Sequence, residues 1–127
     1  MRLVAAMHDP FMALCFAQAL PGRLHGVVTF GGPREATFLG ATGLPFVLAP
    51  PPRDASTTVL LADPAVAAFV AASPSLLLAF KSSRRLEERA SELGARLALP
   101  SATLAQGLEN KLALAGLARE AGIGGGD

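Results

Sequence analysis

The sequence predicts an α/β domain of three layers, with helices on both faces of a mainly parallel sheet. Three observations carry that expectation. Short apolar or β-branched runs alternate with longer helical patterns along most of the chain. The connections between runs are too long for hairpins and long enough to cross back over a sheet. Leu76 to Phe80 is a continuous apolar run, the pattern of a strand covered on both faces.

The elements follow in order. Arg2 to Met7 reads as a first strand, interrupted by His8-Asp9-Pro10. Phe11 to Leu20 is apolar on every side until Pro21-Gly22 and reads as a buried helix. Gly26 to Phe30 is β-branched and bounded by glycines, a second strand that ends in the turn Gly31-Gly32-Pro33. Pro45 to Ala49 is a third, weaker strand, and the run Pro50 to Asp54 lacks the N–H groups of a ladder and reads as an exposed connector. Val59 to Leu61 reads as a short extended piece. Asp63-Pro64 then opens a helix, Asp63 capping free N–H groups and Pro64 taking the first helical position, with Val66, Phe69 and Val70 on one face. Ser73-Pro74 stops that helix. After the Leu76 to Phe80 strand, Ser83 caps a helix whose Leu86, Ala90 and Leu93 form one stripe, and Gly94 ends it. Leu97 and Leu99 alternate with smaller residues in a last short strand, and Pro100-Ser101 opens a final helical region.

Composition bounds the function. The 127 residues suit one domain, and 11 basic against 10 acidic residues leave a net charge of +1. That balance carries no electrostatic footprint of a nucleic-acid partner, and the absence of Trp and Tyr removes the usual stacking platforms. Cys15 is the single cysteine, which excludes an intramolecular disulfide and a zinc site built on cysteine pairs, and favours the cytoplasm; it is expected to be a small buried apolar side chain. Asp63-Pro64 and Ser73-Pro74 cut the most apolar stretch, Thr57 to Phe80, into pieces shorter than the ~20 residues of a membrane span. A cleavage-like Ala17-Gln18-Ala19 is preceded by His8-Asp9-Pro10, which breaks the apolar core that a signal peptide needs.

In a parallel sheet, ligands bind outside the carboxyl ends of the strands. "MHDPF" after the first strand has no glycine to admit a pyrophosphate, so the dinucleotide fingerprint is absent. The glycine-rich stretch Gly31 to Gly43 matches neither that spacing nor a phosphate loop, and is expected to be a flexible loop. His8 and Asp9 stand where a substrate contact or an acid/base pair could lie; the plainer expectation is a turn in which Asp9 caps the next helix. His25 falls in a surface turn, and two histidines without a carboxylate cluster make no metal site. "KSSRR", Lys81 to Arg85, could hold an anion at a helix start, but the plainer expectation is a solvated first turn. In "LENKLALAGLAREAGI", Asn110 caps while Leu112, Ala115, Leu117 and Ala118 cover the buried side. This leaves Lys111 in the first turn, against the helix dipole and explicable beside an anionic ligand.

The stretch "SSRRLEERASELGARLALPSATLAQGLENKLALAGLAREAGI" resembles the junction in ATP-grasp ligases, where a Rossmann-like pre-ATP-grasp domain meets the catalytic lobes. The matching features are Asn110-Lys111, opening a helix, and Ala121-Gly122-Ile123 at its end, with the similarity clearest from Ser83 to Ile123. The resemblance implies a Rossmann-like domain over 1–100, a helical extension over 101–123 leading toward an ATP-grasp lobe, and a tail over 124–127. It further implies a phosphate contact for Lys111, ATP and Mg²⁺ as cofactors of the full-length ligase, and His8 and Asp9 on the substrate side. The family usually continues past this helix with proline and a strand. Here Gly124-Gly125-Gly126-Asp127 follows, so the chain is expected to be truncated before the lobes and inactive alone. Its partners would then be ATP-grasp lobes in cis or on a separate chain. The alternative is a stand-alone Rossmann-like small-ligand or interaction domain that self-associates as a homodimer. Neither reading involves nucleic acid or a membrane.

Overall fold

Strand β1 (Arg2–Ala6) runs through the centre of the domain, hydrogen-bonded on one side to β2 (Gly26–Phe30) and on the other to β4 (Ser75–Leu78). In the computed structural model, which describes residues 2–20, 22–79 and 81–99, β3 (Phe46–Ala49) extends the sheet beyond β2 and β5 (Ala95–Ala98) beyond β4. Every pairing is parallel and the order is β3-β2-β1-β4-β5, which gives a Rossmann-like three-layer α/β fold. The fold class expected from the alternating pattern is therefore the one observed. The expected helical region 101–123 and the tail 124–127 lie outside the described residues.

Helices α1 (Pro10–Ala19) and α2 (Pro33–Gly40) cover one face; α3 (Thr57–Ala62), α4 (Pro64–Ala71) and α5 (Arg84–Glu92) cover the other. The chain winds from β1 to β3 with its helices on the first face, then returns past β1 to β4 and β5 with its helices on the second. Right-handed crossovers in opposite directions require this separation. Residue parity on each strand sorts the core accordingly. Val4 and Ala6 of β1 pack with Leu60, Leu61, Val66, Val70, Leu86 and Ala90, while Ala5 and Met7 pack with Ala13, Cys15, Phe16 and Leu39. The central strands are apolar on both faces because both faces are covered, and all five residues of β2 are buried.

Helix ends use the residues expected of them. Asp9 and Asp63 cap α1 and α4, each followed by proline at the first helical position; Ser83 accepts the Leu86 N–H at 3.2 Å, and Gly94 leaves α5 with φ +70°. Two expectations are corrected. Residues 33–40 of the glycine-rich stretch form α2 rather than a flexible loop: Pro33 presets the first turn, and the Glu35 carboxylate reaches back to accept the Gly32 N–H at 3.0 Å. Val59 to Leu61 is helical, not extended. Ser56 accepts the Val59 N–H at 3.1 Å, and the resulting turn buries both Leu60 and Leu61 against the sheet. Arg89 of α5 then donates to the Leu61 carbonyl at 3.0 Å, tying the two helices together.

A second arginine does comparable work at the amino edge of the sheet. The Arg2 Nη2 lies 2.7 Å from the Phe69 carbonyl, 3.3 Å from the Val70 carbonyl and 3.1 Å from Ser75 Oγ, and its guanidinium carbon sits 4.9 Å from the centre of the Phe69 ring. The cation thereby caps the carboxyl end of α4, where the helix dipole favours positive charge. The same Phe69 ring closes on Gly26, where an added Cβ would meet the ring Cζ at 2.8 Å.

Candidate functional site

The chain leaves β1 toward β2 and enters β4 from the opposite direction, so the strand order reverses between β1 and β4. Outside the carboxyl ends of these two strands lies the crevice in which open α/β sheets bind ligands. Four segments reach this edge among the described residues: His8-Asp9 after β1, Gly31-Gly32 after β2, the connector into α3 after β3, and Lys81 to Ser83 after β4.

His8 and Asp9 diverge here. Asp9 has β-region backbone angles and its Oδ1 accepts the Phe11 N–H at 2.9 Å and the Met12 N–H at 3.5 Å, so its carboxylate is committed to the amino end of α1. His8 is exposed, with its Nδ1 3.4 Å from the Thr57 hydroxyl at the first position of α3. No hydrogen bond joins the two residues, and the adjacent pair does not form an acid/base unit. What the geometry offers is an exposed imidazole beside a hydroxyl, two groups that can each donate or accept toward a ligand in the crevice.

On the β2 side, Gly31 approaches Glu35 so closely that an added Cβ would lie 2.7 Å from both Glu35 Cβ and Cγ. That approach lets the Glu35 carboxylate bond to Gly32 N–H, and it consumes the acid nearest this strand end. On the β4 side Lys81, Ser82, Ser83, Arg84 and Arg85 are all exposed; Ser82 donates to Glu87 at 2.8 Å, Ser83 caps α5, and Arg84 pairs with Glu88 on the helix surface. The basic cluster is a solvated first turn.

Sequence reasoning placed His8 and Asp9 correctly at the end of β1 but did not find Thr57, whose only sequence signal is the preceding capping Ser56. Lys111, with its neighbours Asn110 and Ala121 to Ile123, lies outside the described residues. Among the described residues no group of three or more His, Cys, Asp or Glu could hold a metal ion, and no helix is long and apolar enough to cross a membrane. Two of the carboxylates at the crevice, Asp9 and Glu35, are turned to helix amino ends. Cys15 is buried within α1.

No protein-family model matches the chain, and no curated protein or solved structure matches it.

Proposed function

We propose that this chain is the pre-ATP-grasp module of an ATP-dependent ligase that joins a carboxylate to an amine or related nucleophile. The observation that carries the reading is a conjunction: an all-parallel β3-β2-β1-β4-β5 sheet stands directly ahead of the "LENK…AGI" segment that resembles the ligase junction. In this role the module contributes a substrate-side wall. His8 and Thr57 supply hydrogen-bonding groups at the switch point, Asp9 holds the start of α1 in place, and Lys111 supplies a positive charge toward nucleotide phosphates. ATP and Mg²⁺ belong to the full-length ligase, in which ATP activates the carboxylate; the Mg²⁺ ligands and the glycine-rich cover come from the ATP-grasp lobes, in cis or on a partner chain.

A module of this kind, without the lobes, binds Mg²⁺-ATP weakly or not at all. Calorimetric titration of the 127-residue chain with Mg²⁺-ATP is expected to give no saturable heat at micromolar ligand. Micromolar affinity in the isolated chain contradicts the reading, because a self-sufficient nucleotide site would then reside in the Rossmann-like domain. In a full-length ligase carrying this sequence, Lys111→Ala is expected to weaken ATP binding about tenfold, the loss of one charge-assisted phosphate contact.

A further inference from the structure

The opposite edge of the sheet carries a second constellation. Arg2, His25, Ser73 and Pro74 line an open pocket of about 310 Å³ at the amino ends of β1, β2 and β4, away from the switch-point crevice. The hydrogen bonds around it determine which of its polar groups remain available. His25 Nδ1 accepts the Leu3 N–H at 2.9 Å while the His25 N–H donates to the Leu3 carbonyl at 2.7 Å. A neutral imidazole that accepts at Nδ1 carries its proton on Nε2, so His25 presents one N–H donor whose orientation is set by the backbone of β1. Arg2 commits Nη2 to α4 and to Ser75, its Nε is enclosed without a partner, and Nη1 makes no hydrogen bond among the described residues. Among the described residues the Ser73 hydroxyl likewise makes no hydrogen bond, while its backbone carbonyl accepts from Ser75 Oγ at 2.9 Å.

Three residues with donor groups thus line one pocket, and among the described residues neither the pocket lining nor the neighbouring connections supply an acid. Among the described residues, the connections reaching this edge, 20, 22–25, 41–45, 72–74 and 93–94, contain Arg23 and His25 but no Asp or Glu. Neither ion pair among the described residues involves Arg2. Capping α4 accounts for the Nη2 contacts of Arg2; it leaves Nη1 without a hydrogen bond among the described residues, on a guanidinium that lines the same pocket as the oriented imidazole. We propose that this amino-edge pocket binds a small oxyanion, a carboxylate or a phosphate group, through Arg2 Nη1, the Nε2–H of His25 and the Ser73 hydroxyl. The ligand chemistry follows from the donor set: a planar charged fork and two neutral donors match oxygens of a delocalised anion. This site is independent of the ligase reading and stands or falls separately from it.

Amide-resolved NMR titration of the whole chain with inorganic phosphate and, in parallel, with acetate tests the proposal. Saturable shifts confined to Leu3, His25 and Ser73 are expected with at least one of the two anions, and the anion that saturates identifies the group. His25→Ala is expected to weaken the binding about tenfold, the loss of a hydrogen bond to a charged group. Ser73→Ala, which breaks no hydrogen bond among the described residues, is expected to weaken it measurably, and Arg2→Gln to abolish it. Should Arg2→Gln fail to fold, the His25 and Ser73 variants decide. Shifts that rise linearly with both salts, or an unchanged affinity in both His25→Ala and Ser73→Ala, overturn the proposal.

Discussion

Replacing Asp9 separates a structural carboxylate from a substrate-binding one. Its Oδ1 makes one well-formed bond to the Phe11 N–H at 2.9 Å and one marginal bond to the Met12 N–H at 3.5 Å, and the residue is half-buried at the amino end of α1. Loss of the capping oxygen costs ~1 kcal/mol. Loss of the negative charge beside the helix dipole adds ~0.5 kcal/mol. Asp9→Ala is therefore expected to lower unfolding stability by about 1.5 kcal/mol, and Asp9→Asn, which keeps an oxygen acceptor, by about 0.5 kcal/mol. Urea unfolding followed by far-ultraviolet circular dichroism measures both, with the slope unchanged from wild type. For a domain of this size the Ala variant corresponds to a Tm about 6 °C lower. If Asp9→Ala is as stable as wild type, the carboxylate is not acting as a cap and the crevice assignment of His8 and Asp9 must be redrawn. If Asn and Ala are equally destabilising, the charge rather than the capping bond is what matters.

Other substitutions probe separate layers of the fold. Thr29 is completely buried and its hydroxyl has no hydrogen-bond partner among the described residues, so Thr29→Val is expected to raise stability by about 1 kcal/mol, read from the urea midpoint. Gly31→Ala places a Cβ 2.7 Å from Glu35 Cβ and is expected to cost about 2 kcal/mol, with faster hydrogen exchange at the Gly32 amide as its accepting carboxylate is pushed away. Phe16→Ala empties the centre of the α1 face, where Phe16 is fully buried, and is expected to cost about 4 kcal/mol in the same unfolding assay. Ser56→Ala removes the cap of α3 and is expected to cost about 1 kcal/mol; no loss would favour the extended conformation for 57–62.

The strands and the longer helices were legible because their signals are local and redundant. Gly26 to Phe30 is marked by β-branching and flanking turns, and α4 by an Asp-Pro start, apolar spacing and a Ser-Pro stop. The two helices that escaped notice lack one of these signals each. In α2 the capping residue is Gly32, which has no side chain, so only Glu35 of the usual reciprocal pair is visible and the neighbouring glycines read as a loop. In α3 six residues are too few to show a period, and Thr57, Thr58 and Val59 favour extended backbone locally; burial of Leu60 and Leu61 decides the matter through tertiary packing.

The sites divide in the same way. His8 and Asp9 could be placed at a strand end from sequence, since they follow β1 directly. The commitment of Asp9 to the start of α1 was legible as well, from its place before Pro10; the partner of His8 was not, because the Thr57 contact spans 49 positions and depends on where α3 packs. The amino-edge donors come from three separate segments, and only the β2-β1-β4 order brings Arg2, His25 and Ser73 to one pocket. No periodicity or motif encodes such a meeting.

The coding sequence immediately downstream of Asp127 bears most directly on whether this Rossmann-like domain serves a ligase. A pre-ATP-grasp module predicts that an ATP-grasp segment follows, in the same reading frame or in the adjacent gene, carrying the phosphate-binding lysines, the glycine-rich cover and the Mg²⁺-binding carboxylates. A neighbourhood that encodes no such segment contradicts it.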